Sequence, residues 1–85
     1  MSKMSLSISL MMRRPDLVPP VKILVKKKYG EFGYVENTLT GKVRFSRKKG
    51  CAIVVVERPS GGPELYEFSY SAISRAVNNG EVLHE

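Results

Sequence analysis

The chain has no tryptophan, one cysteine and one histidine, and these scarcities exclude several classes of function. Cys51 has no second cysteine to pair with, so a disulfide-stapled domain is excluded and a reducing cytoplasm, of the producing or a host cell, is expected. Cys51 and His84 together are too few to form a zinc site. No apolar run approaches the ~18 residues of a membrane-spanning helix. We therefore expect no metal, no cofactor and no membrane contact.

Catalytic patterns are missing as well. Short glycine-containing segments occur at 30–33, 40–42 and 60–62, but none has the glycine spacing and following Ser or Thr of a phosphate-binding loop. Cys51 and His84 could form a dyad, but Cys51 begins a segment that is expected to be buried, and a buried thiol is generally inert. The sequence therefore predicts that the protein is not an enzyme.

Positive charge is plentiful and unevenly distributed. Residues 1–50 contain twelve Lys and Arg against three acidic residues, a net charge of +9, whereas residues 51–85 contain two against five, a net charge of −3. A chain divided in this way has a directed electrostatic field, which favours a polyanionic partner. Solubility alone is the simpler explanation of a basic small protein.

Strand patterns dominate from Val21 onward. Alternating or continuous apolar residues predict short strands at 21–26, 32–37, 43–47, 51–57 and 65–69. The segments between them contain glycine or proline and are predicted to be turns, including TLTGK around Gly41. Tyr70, Ile73 and Val77 then follow helical spacing, which predicts one helix over 70–79. The last residues, EVLHE, are too few to classify and could pair with a sheet edge or with a second copy in a homodimer.

The first twenty residues differ from the rest. Leu6, Ile8 and Leu10 alternate with serines, which predicts either one strand or an arm that becomes ordered on a partner. Three prolines at positions 15, 19 and 20 then interrupt regular structure. We therefore expect a flexible N-terminal arm over 1–20 and a single small globular domain over 21–85.

The predicted fold class is α+β. Short connections between successive strands imply an antiparallel meander of four or five strands, with the short C-terminal helix packed on it. Helix residues such as Ile73 would pack against Ile23, Phe45, Ile53 and Val55. A small SH3-like or Greek-key barrel is the structural alternative.

In such a meander, the first and third turns emerge at the same end of the sheet. They contain two basic clusters, and the predicted nucleic-acid site comprises these clusters with Tyr29 as a stacking group: Lys26, Lys27, Lys28, Arg47, Lys48 and Lys49. Lys42 and Arg44 would extend the site along an outer strand face, near Lys22. Phe32 and Tyr34 could stack on bases, but a small sheet also needs large residues in its core. Lysines that guard strand ends against aggregation are the alternative interpretation of the clusters.

These patterns predict a non-enzymatic nucleic-acid-binding accessory protein that contacts the phosphates of DNA or RNA with weak sequence specificity. The alternative is a protein-interaction module, such as a phage- or plasmid-encoded factor that docks on a host enzyme through the N-terminal arm or a sheet edge.

Overall fold

The computed structural model describes residues 5–85. A short helix and a 3-10 turn precede four long strands, a second helix and a final two-residue strand. In chain order these elements are α1 (Ile8–Arg13), the turn Pro15–Leu17, β1 (Val21–Lys28), β2 (Tyr34–Ser46), β3 (Cys51–Val56), β4 (Glu64–Phe68), α2 (Tyr70–Asn79) and β5 (Leu83–His84).

The strands form one five-stranded sheet in the order β4-β3-β2-β1-β5. All neighbouring pairs are antiparallel except β1 and β5, which are parallel. The predicted α+β class is therefore confirmed, with a mostly antiparallel sheet and one helix packed on it. Among the described residues the sheet remains open between β4 and β5, so the barrel alternative is not adopted.

The predicted turn at TLTGK is wrong, because β2 continues through this segment without interruption. Gly41 is buried in the strand, and a Cβ atom placed on it would lie 2.5 Å from Val54 Cγ1 and 2.9 Å from the Val55 carbonyl oxygen. Glycine is needed at this position because β3 approaches the backbone too closely for a side chain. The residue that suggested a turn is instead a site of close backbone packing.

The long strand β2 joins two parts of the sheet. Its residues 34–41 pair with β1, and its residues 42–46 pair with β3. Inward-pointing side chains from both parts, such as Ile23 and Val54, are fully buried in the same core. The Nζ atom of Lys27 on β1 also lies 3.9 Å from Glu64 on β4, although β2 and β3 separate these strands in the sheet. The sheet must therefore curl around the core.

Helix α2 covers one end of this core at the place predicted from the sequence. Ser69 is its N-cap, and the hydroxyl oxygen accepts a hydrogen bond from the backbone N–H of Ala72 at 3.2 Å. Gly80 ends the helix in the left-handed conformation, with φ of 71°. Between these caps, Ile73 and Ala76 are buried against the sheet. No helix within residues 5–85 is long and apolar enough to cross a bilayer.

The segment before β1 is helical where a strand was one of two expectations. Ser7 caps α1, and the fully buried Met11 adds a large side chain to the core. The side chain of Asn78 on α2 accepts a hydrogen bond from the Leu6 N–H at 2.7 Å and donates one to the Leu6 carbonyl at 2.9 Å. The described part of the predicted arm therefore packs on the domain, and the domain boundary drawn at Val21 marks the start of β1.

The C-terminal residues also find a partner within the chain. Leu83 and His84 pair in parallel with Ile23 and Leu24, and the N–H of Glu85 donates to the Leu24 carbonyl at 3.3 Å. Leu83 is buried. The segment left unclassified in the sequence therefore forms one edge of the sheet and helps to cover the core.

We expect Gly41→Ala to destabilise the fold by about 1–3 kcal/mol, the cost of forcing extra atoms into a packed core. The added Cβ would have to displace the Val54 side chain and the β3 backbone. Chemical denaturation measures the change in free energy of unfolding. The control is Thr40→Ala, whose exposed position on the same strand predicts a change within about 0.5 kcal/mol. A Gly41→Ala protein as stable as the control would show that β2 and β3 are not closely packed here.

Candidate nucleic-acid interface

The first predicted basic cluster lies at the end of β1 and leads into the β1–β2 turn. Lys28 is the last residue of β1 and pairs with Tyr34, the first residue of β2. The turn between them is closed by a hydrogen bond from the Tyr29 N–H to the Gly33 carbonyl at 2.8 Å. We call residues 28–34 the hairpin tip. All seven of its residues are exposed to solvent.

The second cluster occupies the tight turn between β2 and β3. Ser46 organises this turn, because its carbonyl accepts from the Gly50 N–H at 2.9 Å and its hydroxyl accepts from the Lys49 N–H at 3.2 Å. Gly50 adopts a φ of 66°, which a residue with a side chain rarely adopts. Arg47, Lys48 and Lys49 are all exposed on this turn.

The two clusters do not form the predicted rim at one end of the sheet. They are located at opposite ends of β2, because the turn that was expected to reverse the chain between them does not exist. Thirteen residues separate them along the strand, a contour of roughly 40 Å at the usual rise per residue. The prediction that six like charges converge on one edge of the sheet is therefore wrong.

Three of the six lysines and arginines in the clusters pair with carboxylates of the same chain. Lys26 Nζ lies 3.5 Å from Glu36 on the neighbouring strand. Lys27 and Lys49 both reach β4, where they lie 3.9 Å from Glu64 and 2.9 Å from Glu67, respectively. The hydrogen bond to Glu67 also raises the pKa of Lys49. Strand β4 thus neutralises one lysine from each cluster, and Lys28, Arg47 and Lys48 make no ion pair within residues 5–85.

Additional cations follow one side of β1 and β2. Residues of even number on these strands point away from the core, and we call this the outward side. Lys22 pairs with Thr40, and Lys42 is two residues further along the same side. Such diagonal neighbours are about 7–8 Å apart in a regular antiparallel pair. The outward side of β1 and β2 contains one carboxylate, Glu36, and five cations: Lys22, Lys26, Lys28, Lys42 and Arg44.

Three aromatic side chains are exposed at the hairpin tip. Phe32 is 99% exposed, Tyr29 73% and Tyr34 70%. The sequence allowed Phe32 and Tyr34 to fill the core, but the tip extends past the packed residues, and the core is filled by α1, α2 and β5 instead. Phe32 was not among the predicted site residues. Its position between Gly30 and Gly33, two residues typical of turns, was the signal of an exposed aromatic, although the predicted strand 32–37 began at Phe32.

Polar side chains cluster around the half-buried Glu64 at the start of β4. Its carboxylate accepts a hydrogen bond from the Tyr66 hydroxyl and lies 2.8 Å from Arg58 Nη2. The hydrogen bond from Tyr66, followed by the charges of Arg58 and Lys27, holds the pKa of Glu64 below its ordinary value. The same carboxylate raises the pKa of Tyr66 to about 12. This cluster links β1 to β4 and so supports the curl of the sheet.

Cys51 and His84, the two residues with possible chemistry, lie on different strands. Cys51 begins β3 and is half-buried, and His84 is exposed on β5 beside Leu24. Within residues 5–85, no three side chains of the His, Cys, Asp and Glu types are close enough together to hold a metal ion. Comparison of the chain with protein-family models, with curated proteins and with solved structures finds no significant match.

We expect Glu64→Gln to lower the thermal midpoint at about pH 7. We also expect the midpoint of this variant to fall less than that of the unmodified protein when the pH is lowered. A carboxyl group whose pKa is lower in the folded state stabilises the fold above its unfolded pKa, and this contribution disappears as the pH falls through the folded value. Thermal unfolding followed by circular dichroism at about pH 7 and about pH 3 measures both effects.

The control for this substitution is Glu57→Gln. Glu57 is exposed and forms no ion pair within the described part of the chain, so its replacement should leave the pH dependence unchanged. Parallel acid unfolding curves for Glu64→Gln and the unmodified protein would contradict the role assigned to the Glu64 cluster.

Proposed function

We propose that this protein is a non-enzymatic nucleic-acid-binding accessory protein of the cytoplasm. The observation that carries the proposal is the outward side of β1 and β2, where five cations face solvent against a single carboxylate. The opposite side of the sheet is covered by the helices and the core, whereas the outward side is open to a large partner.

Phosphate groups are the natural ligands of such a surface. Cations spaced along a strand can neutralise successive phosphates, and the released counterions supply most of the binding free energy. Lys28, Lys42 and Arg44 have no carboxylate partner within residues 5–85, so they need not break an ion pair to bind a phosphate. Lys26 is a weaker contributor, because Glu36 competes for its charge.

The proposed contacts predict weak sequence specificity. Lysine and arginine side chains that bind phosphates position a protein on a nucleic acid without distinguishing its bases. The proposed DNA or RNA ligand is therefore recognised by its charge and by the accessibility of its backbone.

We expect the binding constant to fall with salt. If about four phosphates are neutralised, a plot of log K against log salt concentration should have a slope of about −3 to −4. Replacing Lys28, Lys42 and Arg44 together by alanine should reduce that slope by about 2 to 3, because each cation contributes about one unit at most. Fluorescence anisotropy with a labelled oligonucleotide at several salt concentrations measures both slopes.

The matched control removes the same charge from another region: Arg13, Arg14 and Arg75 are replaced by alanine. These arginines are on or beside α1 and α2, away from the outward side, so the slope should remain within experimental error of the unmodified protein. A binding constant that does not change with salt concentration would contradict a phosphate-binding surface. An equal reduction of the slope in both triple variants would contradict it as well.

A second candidate function, the binding of a protein partner, is favoured by a cleft at the open edge of the sheet. The cleft has a volume of about 550 Å³ and is lined on one side by apolar residues of β3 and β4 and on the other by His84 and Glu85. Leu65 is 61% exposed at its rim. Within the described residues no strand pairs with the outer edge of β4, so an extended peptide could add a strand there.

We expect extended peptides that bind this chain to shift the backbone amide resonances of residues 64–68, and Leu65→Lys to abolish the shifts. The lysine would place a charge on the apolar rim that the partner has to cover. Peptides selected from a random library supply the ligands. The control is Val82→Lys, which changes an apolar surface residue that is 39% exposed and lies outside the lining of this cleft. Shifts confined to other residues would contradict this site, and a dimer that Leu65→Lys dissociates would identify a second copy as the occupant.

A further inference from the structure

We propose that the hairpin tip is a stacking site for unpaired bases, so that the ligand is a single-stranded nucleic acid. This inference rests on the proposed nucleic-acid-binding function and concerns the adjoining hairpin tip, which shares Lys28 with the outward side of β1 and β2. It is carried by three aromatic side chains that occur within six residues and are each at least 70% exposed: Tyr29, Phe32 and Tyr34.

Exposure of this kind is unusual in a small domain. A folded protein normally covers its large aromatic residues, and clustered exposure indicates a surface that binds a partner. Large apolar side chains elsewhere at the surface are less exposed: Leu65 is 61%, Leu17 43% and Val82 39% exposed. The 99% exposure of Phe32 is therefore a property of the tip and is not shared by these scattered residues.

The backbone of the tip leaves room beside Phe32. Gly30 and Gly33 have φ angles of 58° and 119°, which favour glycine, and together they bend the chain around Glu31 and Phe32. Apart from its neighbours in the chain, a Cβ atom placed on either glycine would meet no atom within 4 Å. A planar base can thus approach the phenyl ring without displacing another part of the chain. The hydrogen bond from Tyr29 to Gly33 closes the turn and limits the movement of this site.

Charge around the tip separates a phosphate region from a base region. Lys26 and Lys28 alternate along the outward side of β1 and are about 7 Å apart, at the base of the tip. Glu31 instead lies beside Phe32 at the end of the turn. A carboxylate repels phosphate but can accept a hydrogen bond from the amino group of a base. This arrangement favours a strand whose phosphates follow the lysines and whose bases reach the aromatic residues.

Stacking of this kind selects single strands. In a duplex the faces of the bases are covered by their neighbours, and a side chain can stack on them only after the helix is unstacked. In a single strand the faces are available, and stacking on aromatic side chains tolerates any base sequence. The tip therefore adds a preference for unpaired nucleic acid to the general attraction that the cations supply.

The experiment compares three probes with the full chain at one salt concentration: an oligothymidylate, an abasic strand of the same length and charge, and a duplex of the same length. We expect the oligothymidylate to bind best. Each stacked base contributes a factor of about 5 to about 150, so the abasic strand should bind at least about 5-fold more weakly. The duplex should also bind more weakly than the oligothymidylate.

Phe32 is the residue that tests the stacking itself. Phe32→Ala should weaken binding of the oligothymidylate by about 5-fold or more while leaving the salt slope and the thermal midpoint unchanged, since the side chain is uncharged and outside the core. Phe32→Trp should retain the affinity. The matched control is Val35→Ala, which truncates an exposed apolar residue on the inward-facing side of the same hairpin and should leave binding unaffected.

The possible outcomes separate this inference from the proposed function. Salt-dependent binding that is equal for all three probes, or equal for Phe32→Ala and the unmodified protein, overturns the stacking site and leaves the phosphate surface intact. Equal, Phe32-dependent binding of duplex and single strand overturns the preference for unpaired bases. Failure to bind any of the probes at low salt overturns the inference and the proposed function together.

Discussion

The close contact between β2 and β3 at Gly41 is the constraint on which the rest of the fold depends. Because position 41 has no side chain, the Val54 side chain and the Val55 carbonyl can occupy the space beside the strand. One continuous strand can then pair first with β1 and afterwards with β3. Both parts of the sheet consequently contribute to one core, which a chain of this length needs because it buries only a modest share of its surface.

The continuous strand β2 also determines where the lysine and arginine side chains lie on the surface. It separates the two basic turns, while the curl of the sheet brings one lysine from each of them to a glutamate of β4. The unpaired cations that remain on the strands are arranged by strand alternation, along the outward side of β1 and β2. The same alternation places Tyr34 beside Lys28 at the hairpin tip. The distribution of positive charge on the surface therefore depends more on which side of a strand each residue faces than on the composition of the turns.

Much of the fold could be predicted from the residues. The order of the strands, the position of α2 and the outward position of Lys22, Lys42 and Arg44 follow from local patterns. The failures have physical causes. The residues around a glycine look the same in the sequence whether the glycine forms a turn or lies in a strand against closely packed backbone. Gly41 lies in a strand against β3. Phe32 was assigned to the core or to stacking because periodicity cannot show that α1 and β5 already fill the interior.

The sequence by itself determined the features that depend on neighbours within about four residues: the alternation of each strand, the helix caps and the composition of the hairpin tip. The tertiary structure determined which of these elements contact one another. The hydrogen bonds between Leu6 and Asn78 span 72 residues, and the ion pair between Lys27 and Glu64 joins strands that are not adjacent. Such contacts depend on register and on the curl of the sheet, which arise only when the two parts of the sheet pack on a common core.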